Sequence, residues 1–180
     1  MGLFGKLFEK KECAICGGEI GLLGNRKLED GNMCKACAAK LSPWFDERRH
    51  STVAQIEEQL EYRESNKENV AAFRTTLSLG ETAKVLLDEY VGRFMVTSAR
   101  NYSEANPDVL ELSDITGCTY DIDEGIDEVT RFDENNEAVS YDPPRFTHSY
   151  NFYVTVYVNN PYFDDMRFKV NSRTVEVEER

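Results

Sequence analysis

The chain has 180 residues, 41% of them hydrophobic, 11% aromatic and 30% charged, with a formal net charge of −12. That composition suits one ordinary globular domain with a small accessory module. It excludes a collagen-like or low-complexity chain, and no apolar run approaches the eighteen or so residues of a membrane span. Residues 1–50 carry nine Lys/Arg against seven Asp/Glu, net +2, while residues 51–180 carry twelve against twenty-six, net −14, so most of the protein repels nucleic acid.

The first ten residues, MGLFGKLFEK, place Leu3, Phe4, Leu7 and Phe8 on one side of a short helix and Lys6 on the other. Such an amphipathic lead packs on its own protein or anchors weakly to a membrane or partner. Lys6 stands where the myristoylation pattern wants Ser or Thr, so Gly2 is a poor lipidation site.

Four of the five cysteines follow, in "CAICGGEIGLLGNRKLEDGNMCKAC": Cys13 and Cys16, then Cys34 and Cys37, with seventeen residues between the pairs. A CxxC turn aims two sulfurs at one point, and two such turns supply the four thiolates of a tetrahedral zinc site. Gly17-Gly18 and Asp30-Gly31 favour tight turns, and Ile20–Leu23 is read as pairing with Arg26–Leu28 around Gly24-Asn25. The second pair runs into the helix-forming "KACAAKL", an order of knuckle, hairpin and helix closer to a treble clef than to a plain zinc ribbon. The rival is a redox CxxC, which has no need of a second pair. With four protein ligands the ion, one Zn2+, is structural and has no open position for substrate; iron can take its place during expression.

Residues 42–73 read as helical, opening at Ser42 and Pro43 and restarting at Ser51 or Thr52 before Val53, Ile56 and Leu60. The apolar stripe then lapses at Arg63, Glu64 and Lys67. The segment is therefore either a solvated connector or two helices broken near Ser65-Asn66.

From Thr75 the pattern has period two. Three hairpins are expected. "KVLLDEY" pairs with "RFMVTS" across Val91-Gly92, "IDEVTRF" with "AVSY" across "DENNE", and "NFYVTVYV" with "DDMRFKV" across "NNPYF". In the last, Phe152, Val154, Val156 and Val158 share one face, as do Met166, Phe168 and Val170.

Other chemistry finds little support. Cys118 alternates with Tyr120 and Ile122 on the apolar side of a strand, which predicts a buried, inert thiol. His50 and His148 lie about a hundred residues apart without local partners, so general base chemistry is unsupported. "DIDEGIDE", residues 121–128, fails the calcium-loop pattern because Gly125 and Ile126 stand where an acid and a glycine are required; it reads as a charged strand edge that discourages pairing. Lys6, Lys10, Lys11, Arg26, Lys27, Lys35 and Lys40 are diluted by Glu9, Glu12, Glu19, Glu29 and Asp30, so they read as a solvated surface rather than a phosphate track.

The stretch from "MGLFGKLFEKKECAICG" through "CKACAAKLSPWF" resembles bacterial zinc-ribbon proteins of unknown function, and the rest of the chain looks like the rest of theirs. The resemblance implies metal ligands at Cys13, Cys16, Cys34 and Cys37 and no activity. "VLLDEYVGRFMVTS" followed by "DVLELSDITGCTYDID" is similar to the opening strands of bacterial pleckstrin-homology-like barrels. Those barrels close with a C-terminal helix, whereas this chain ends in "NSRTVEVEER", so either the connector helix caps the barrel or the native chain continues past Arg180.

The expected protein is thus α+β: a zinc-binding treble-clef or ribbon module over residues 1–41, a helical linker over 42–74, and an antiparallel β domain, a pleckstrin-homology-like barrel or strongly bent sheet, over 75–180. Its expected role is non-catalytic, in the reducing cytoplasm, recognising protein partners. Two alternatives are peripheral membrane binding through the lead and the β domain, and weak nucleic-acid binding through the zinc module. No small-molecule substrate is implied.

Overall fold

The computed structural model describes residues 11–178, and the amphipathic lead read over residues 1–10 lies outside them. The chain gathers into two compact units. One holds the residues up to Phe73 together with Ala99–Leu110 and Asn160–Asp164; the other holds Arg74–Ser98, Glu111–Asn159 and the chain from Asp165 onward.

In the first unit, β1 (Lys11–Glu12) pairs antiparallel with β2 (Glu19–Ile20), and β3 (Asn25–Lys27) pairs with β4 (Asn32–Cys34). The hairpin expected between Ile20–Leu23 and Arg26–Leu28 does not form. Gly24 N–H donates to the Gly21 carbonyl at 2.9 Å, which folds 21–24 into a tight turn and leaves Leu22 and Leu23 exposed. The hairpin turn sits instead at Asp30-Gly31, closed by Leu28 N–H to the Gly31 carbonyl at 3.0 Å. This register buries Leu28 and Met33 completely.

Helix α1 (Lys35–Ala38) follows, and then a 3-10 turn at Glu47–His50. No helix starts at Pro43, because the Ser42 hydroxyl donates to Asp108 Oδ2 at 2.7 Å while accepting from Trp44 N–H in a short turn. The helix starts at Thr52, where a capping box with Gln55 opens α2 (Val53–Ala72). The turn of the β3–β4 hairpin assists, since Asp30 Oδ1 accepts the Val53 N–H at 2.8 Å. Gly31 is required beside it: a Cβ there would stand 2.9 Å from Val53 Cγ2.

Helix α2 runs unbroken through Ser65-Asn66. Its buried face continues past Ile56 at the regular spacings of three and four, but through Gln59, Arg63 and Asn66. Arg63 and Asn66 clasp the segment after α3 (Tyr102–Ala105). Arg63 Nη1 donates to Asp108 Oδ1 at 2.7 Å with both side chains buried, and Arg63 also reaches the Asn106 carbonyl. Asn66 donates to Asn106 Oδ1 and the Pro107 carbonyl and accepts from Val109 N–H, at 2.8–3.0 Å. Asn106, at a left-handed φ of 48°, caps α3 and returns a hydrogen bond to the Arg63 carbonyl. Burial pushes the Asp108 carboxyl above its ordinary value, against the opposing pull of Arg63 and Ser42.

The second unit is built mainly on two separate four-stranded sheets. The first has the order β5 (Leu77–Leu79), β6 (Lys84–Asp88), β7 (Arg93–Thr97) and β8 (Leu110–Glu111). The expected β6–β7 hairpin turns through Gly92 at φ 72°. In the second, β9 (Ile115–Phe132) and β10 (Ala138–Val158) form a long two-stranded ribbon, with β11 (Asp165–Lys169) and β12 (Val175–Glu178) following one another along the opposite edge of β10. The expected registers hold at both ends: Thr130 faces Ser140 across the "DENNE" turn, and Val154 and Val156 face Phe168 and Met166.

The expected closed barrel does not form. The strands at 115–132 and 138–158 run on as a ribbon of 18 and 21 residues, and among the described residues β9 pairs with β10 alone, which leaves the sheet open.

Two neighbouring positions on α2 should respond oppositely to substitution. Arg63→Ala strands the buried Asp108 carboxylate and is expected to cost about 3–5 kcal/mol in urea unfolding, while Arg63→Met with Asp108→Leu costs less than Arg63→Ala alone. The side-chain amide of Gln59 is buried without a hydrogen-bond partner among the described residues, so Gln59→Met should leave stability unchanged or raise it by about 1 kcal/mol.

Candidate metal centre

The two CxxC turns are built differently and meet at one point. The first is a loop after β1: Cys13 N–H donates to the Gly18 carbonyl and Gly17 N–H to the Cys13 carbonyl, both at 2.8 Å. Gly17 adopts φ 68°, the left-handed geometry that lets the chain double back behind Cys16. The second starts at the end of β4, where Cys34 is the N-cap of α1 and Cys37 lies in its first turn. Ala14 N–H donates to the Asn32 carbonyl at 2.8 Å and ties one turn to the other.

The four sulfurs of Cys13, Cys16, Cys34 and Cys37 all lie within 4.8 Å of one another. Cys16 and Cys34 Sγ are 3.9 Å apart, and all four thiols are free. A tetrahedral ion with bonds to sulfur of ~2.3 Å sets its ligands ~3.8 Å apart, so the spacing fits one ion. Backbone donors point at the sulfurs as well: Cys34 N–H to Cys13 Sγ at 3.2 Å and Cys37 N–H to Cys34 Sγ at 3.4 Å. Donors of this kind stabilise negative charge on sulfur, the form that binds metal.

The thiols are electrostatically unequal. Burial raises the Cys13 thiol, yet the N–H groups of Cys34, Cys16 and Ile15 outweigh it and bring the pKa down to about 6. Burial, followed by hydrogen bonds with the neighbouring thiols, pushes Cys37 up to about 12. A divalent ion favours the thiolate form of its ligands, because each negative charge then faces a positive centre.

Cys13 and Cys37 belong to the core of the first unit, packed with Ile20, Leu28, Met33, Leu41 and Ile56. The sulfur cluster is thus one wall of the small apolar core on which the start of α2 rests. Residues 11–59 match a family described as Domain of unknown function (DUF4428). No curated protein and no solved structure matches the chain. The matched stretch contains all four cysteines and ends at Gln59, so it covers the strands, the metal-binding turns and the first turns of α2 that complete this core.

The other residues singled out in the sequence lie elsewhere. Cys118 is exposed rather than buried, because β9 is an edge strand whose apolar face is open. His50 is exposed at the end of the 3-10 turn. His148 does have a partner, supplied across the strands: its Nδ1 lies 3.0 Å from Glu124 Oε1, which also accepts the Tyr150 hydroxyl at 3.0 Å. Those two hydrogen bonds, that of His148 foremost, hold the Glu124 carboxyl below its usual value. The three side chains share one face of the sheet.

Metal occupancy has a direct test. Elemental analysis should find one divalent ion per chain, lost in Cys16→Ser or Cys34→Ser. Titration from pH 7 toward pH 4 should release the ion as protons displace it from the thiolates. Retention of the ion after either substitution would remove the tetrahedral assignment.

Proposed function

We propose that this protein is a non-catalytic interaction protein: Cys13, Cys16, Cys34 and Cys37 bind one structural zinc ion, and the β ribbon recognises a protein partner. The observation that carries this reading is the apolar face of the ribbon. Residues directly opposite in the register share a face, and one face carries Tyr120, Ile122 and Ile126 from β9, Phe152, Val154 and Val156 from β10, and Val175 and Val177 from β12. Val156 is buried, whereas Tyr120 is 81% exposed and Ile122, Ile126, Val175 and Val177 are 44–59% exposed. Exposed apolar side chains gathered on one face, here around the polar Glu124, His148 and Tyr150, mark an interaction site.

Zinc is the ion of choice because four thiolates with tetrahedral spacing suit it, and a small module gains its missing stability from such an ion. Four protein ligands leave no coordination position for a substrate, which supports a structural rather than a catalytic ion. The acidic balance of residues 51–180 weighs against nucleic acid and anionic lipid as the bound species. A reducing cytoplasm is the compartment in which such thiols persist.

Affinity purification of the full chain from a bacterial lysate should retain a protein partner that Ile122→Ser with Ile126→Ser no longer retains, with circular dichroism unchanged. Retention of no protein by the intact chain, or turnover abolished by a single acidic-residue substitution, would overturn the reading.

A further inference from the structure

The ribbon has a second open feature besides its face. Among the described residues β9 is hydrogen-bonded along one side only, to β10, so its outer side presents the alternate N–H and C=O groups of an 18-residue strand. Edges of this length are normally covered, shortened or blunted with lysine. β9 is instead charged with one sign: from Ile115 to Thr130 it holds Asp121, Asp123, Glu124, Asp127 and Glu128 and no Lys or Arg.

These charges are sorted by face. Asp121, Asp123 and Asp127 lie opposite Tyr153, Asn151 and Thr147 on the polar face, while Tyr120, Ile122 and Ile126 lie on the apolar one. Only Asp121 has an ion-pair partner, Arg167 at 3.3 Å, among these three aspartates within the described residues. Glu124 and Glu128 lie on the apolar face, opposite Tyr150 and Phe146, and Glu124 is already engaged by His148 and Tyr150.

We propose that the outer edge of β9 accepts an added strand from another protein, an extended segment that alternates apolar residues with Lys or Arg. The inference rests on the interaction role above and names the partner's chemistry. Main-chain hydrogen bonds supply the pairing. The alternation then sets apolar side chains beside Tyr120, Ile122 and Ile126 and cations beside Asp121, Asp123 and Asp127. A second copy of this chain fits poorly. Antiparallel pairing of two β9 strands about Glu124 sets Asp121 of each directly across from Asp127 of the other, like charge against like. The acids thus permit a basic strand and reject self-pairing along the same edge.

The test uses the full chain and ten-residue peptides followed by fluorescence anisotropy. A peptide alternating valine and lysine should bind, more weakly as salt rises, and one alternating valine and glutamate should not. N-methylation of one alternate set of its amides should abolish binding while methylation of the other set leaves it intact, because only one set faces the edge. Asp123→Lys with Asp127→Lys should weaken binding by ~10-fold or more at unchanged circular dichroism. Equal tolerance of both methylation sets would mean charge adhesion without strand pairing, and concentration-dependent dimers in sedimentation would assign the edge to a second copy; either overturns the proposal. If neither peptide binds but the full chain still retains a partner lost on Ile122→Ser with Ile126→Ser, the strand inference alone fails. If the full chain retains no partner, the interaction role fails with it.

Discussion

Four sulfur atoms drawn to one point are the constraint on which the first unit depends. Neither CxxC turn, with hairpins of two and three residues a side, carries enough apolar surface to fold alone. What holds them is convergence, with Cys13 and Cys37 buried beside Leu28, Met33 and Ile56. A shared ion would close a loop of seventeen residues between the pairs, fix the direction in which β4 delivers its chain into α1, and set the Asp30 turn where it meets α2. Binding of that ion would thereby bear on the helix, since Asp30 lies between the pairs and also receives the first N–H of α2.

Farther along α2 the stabilising physics changes from apolar to polar. Past Ile56 and Leu60 the inner face uses the Arg63 guanidinium and the Asn66 amide to grip 106–109. Buried charge is expensive to desolvate, and it is tolerated here because Asp108 receives hydrogen bonds from both Arg63 and Ser42. Such a network adds less net stability than an apolar seam would, but it is intolerant of substitution. It specifies which segment docks, since only a chain presenting the Asn106 amide, the Pro107 carbonyl and the Asp108 carboxylate in sequence satisfies it.

How much of this could be read from the chain depended on whether the signal was local. The CxxC pairs were legible because ligand spacing is a local property, and the three hairpins because their turns carry glycine, asparagine and aspartate at the required places. The unbroken α2 was not: apolar periodicity treats Gln59, Arg63 and Asn66 as solvated, when all three are buried and the partners of Arg63 and Asn66 lie some forty residues away in sequence. A rule extending the stripe of Ile56 regardless of polarity would have found it. Alternation in β9 and β10 gave the faces of each strand but not whether anything covers them, which is why Cys118 was placed inside and proves exposed. The barrel rested on a likeness of its opening strands to another family, and closure depends on which edges meet, which neither that likeness nor period two encodes. His148 gains its Glu124 partner from register, which no single strand encodes.

A long ribbon with strict alternation faces a hazard of its own, since sliding one strand by two residues would preserve both faces and cost little in pattern. Two irregularities oppose such slippage. The register jumps between Ser140 and Arg145, where "YDPP" is extruded from β10 and Tyr141 lies between Arg131 and Arg145, with the Arg145 guanidinium 4.5 Å from its ring. Nearby, Gly125 sits so close to Ser149 that a Cβ would come within 2.6 Å of its hydroxyl. Displacement by two would bring Asp123 or Asp127 to that spot. The two strands are keyed like a ratchet with one tooth and one notch, so the ribbon stays long without becoming free to creep.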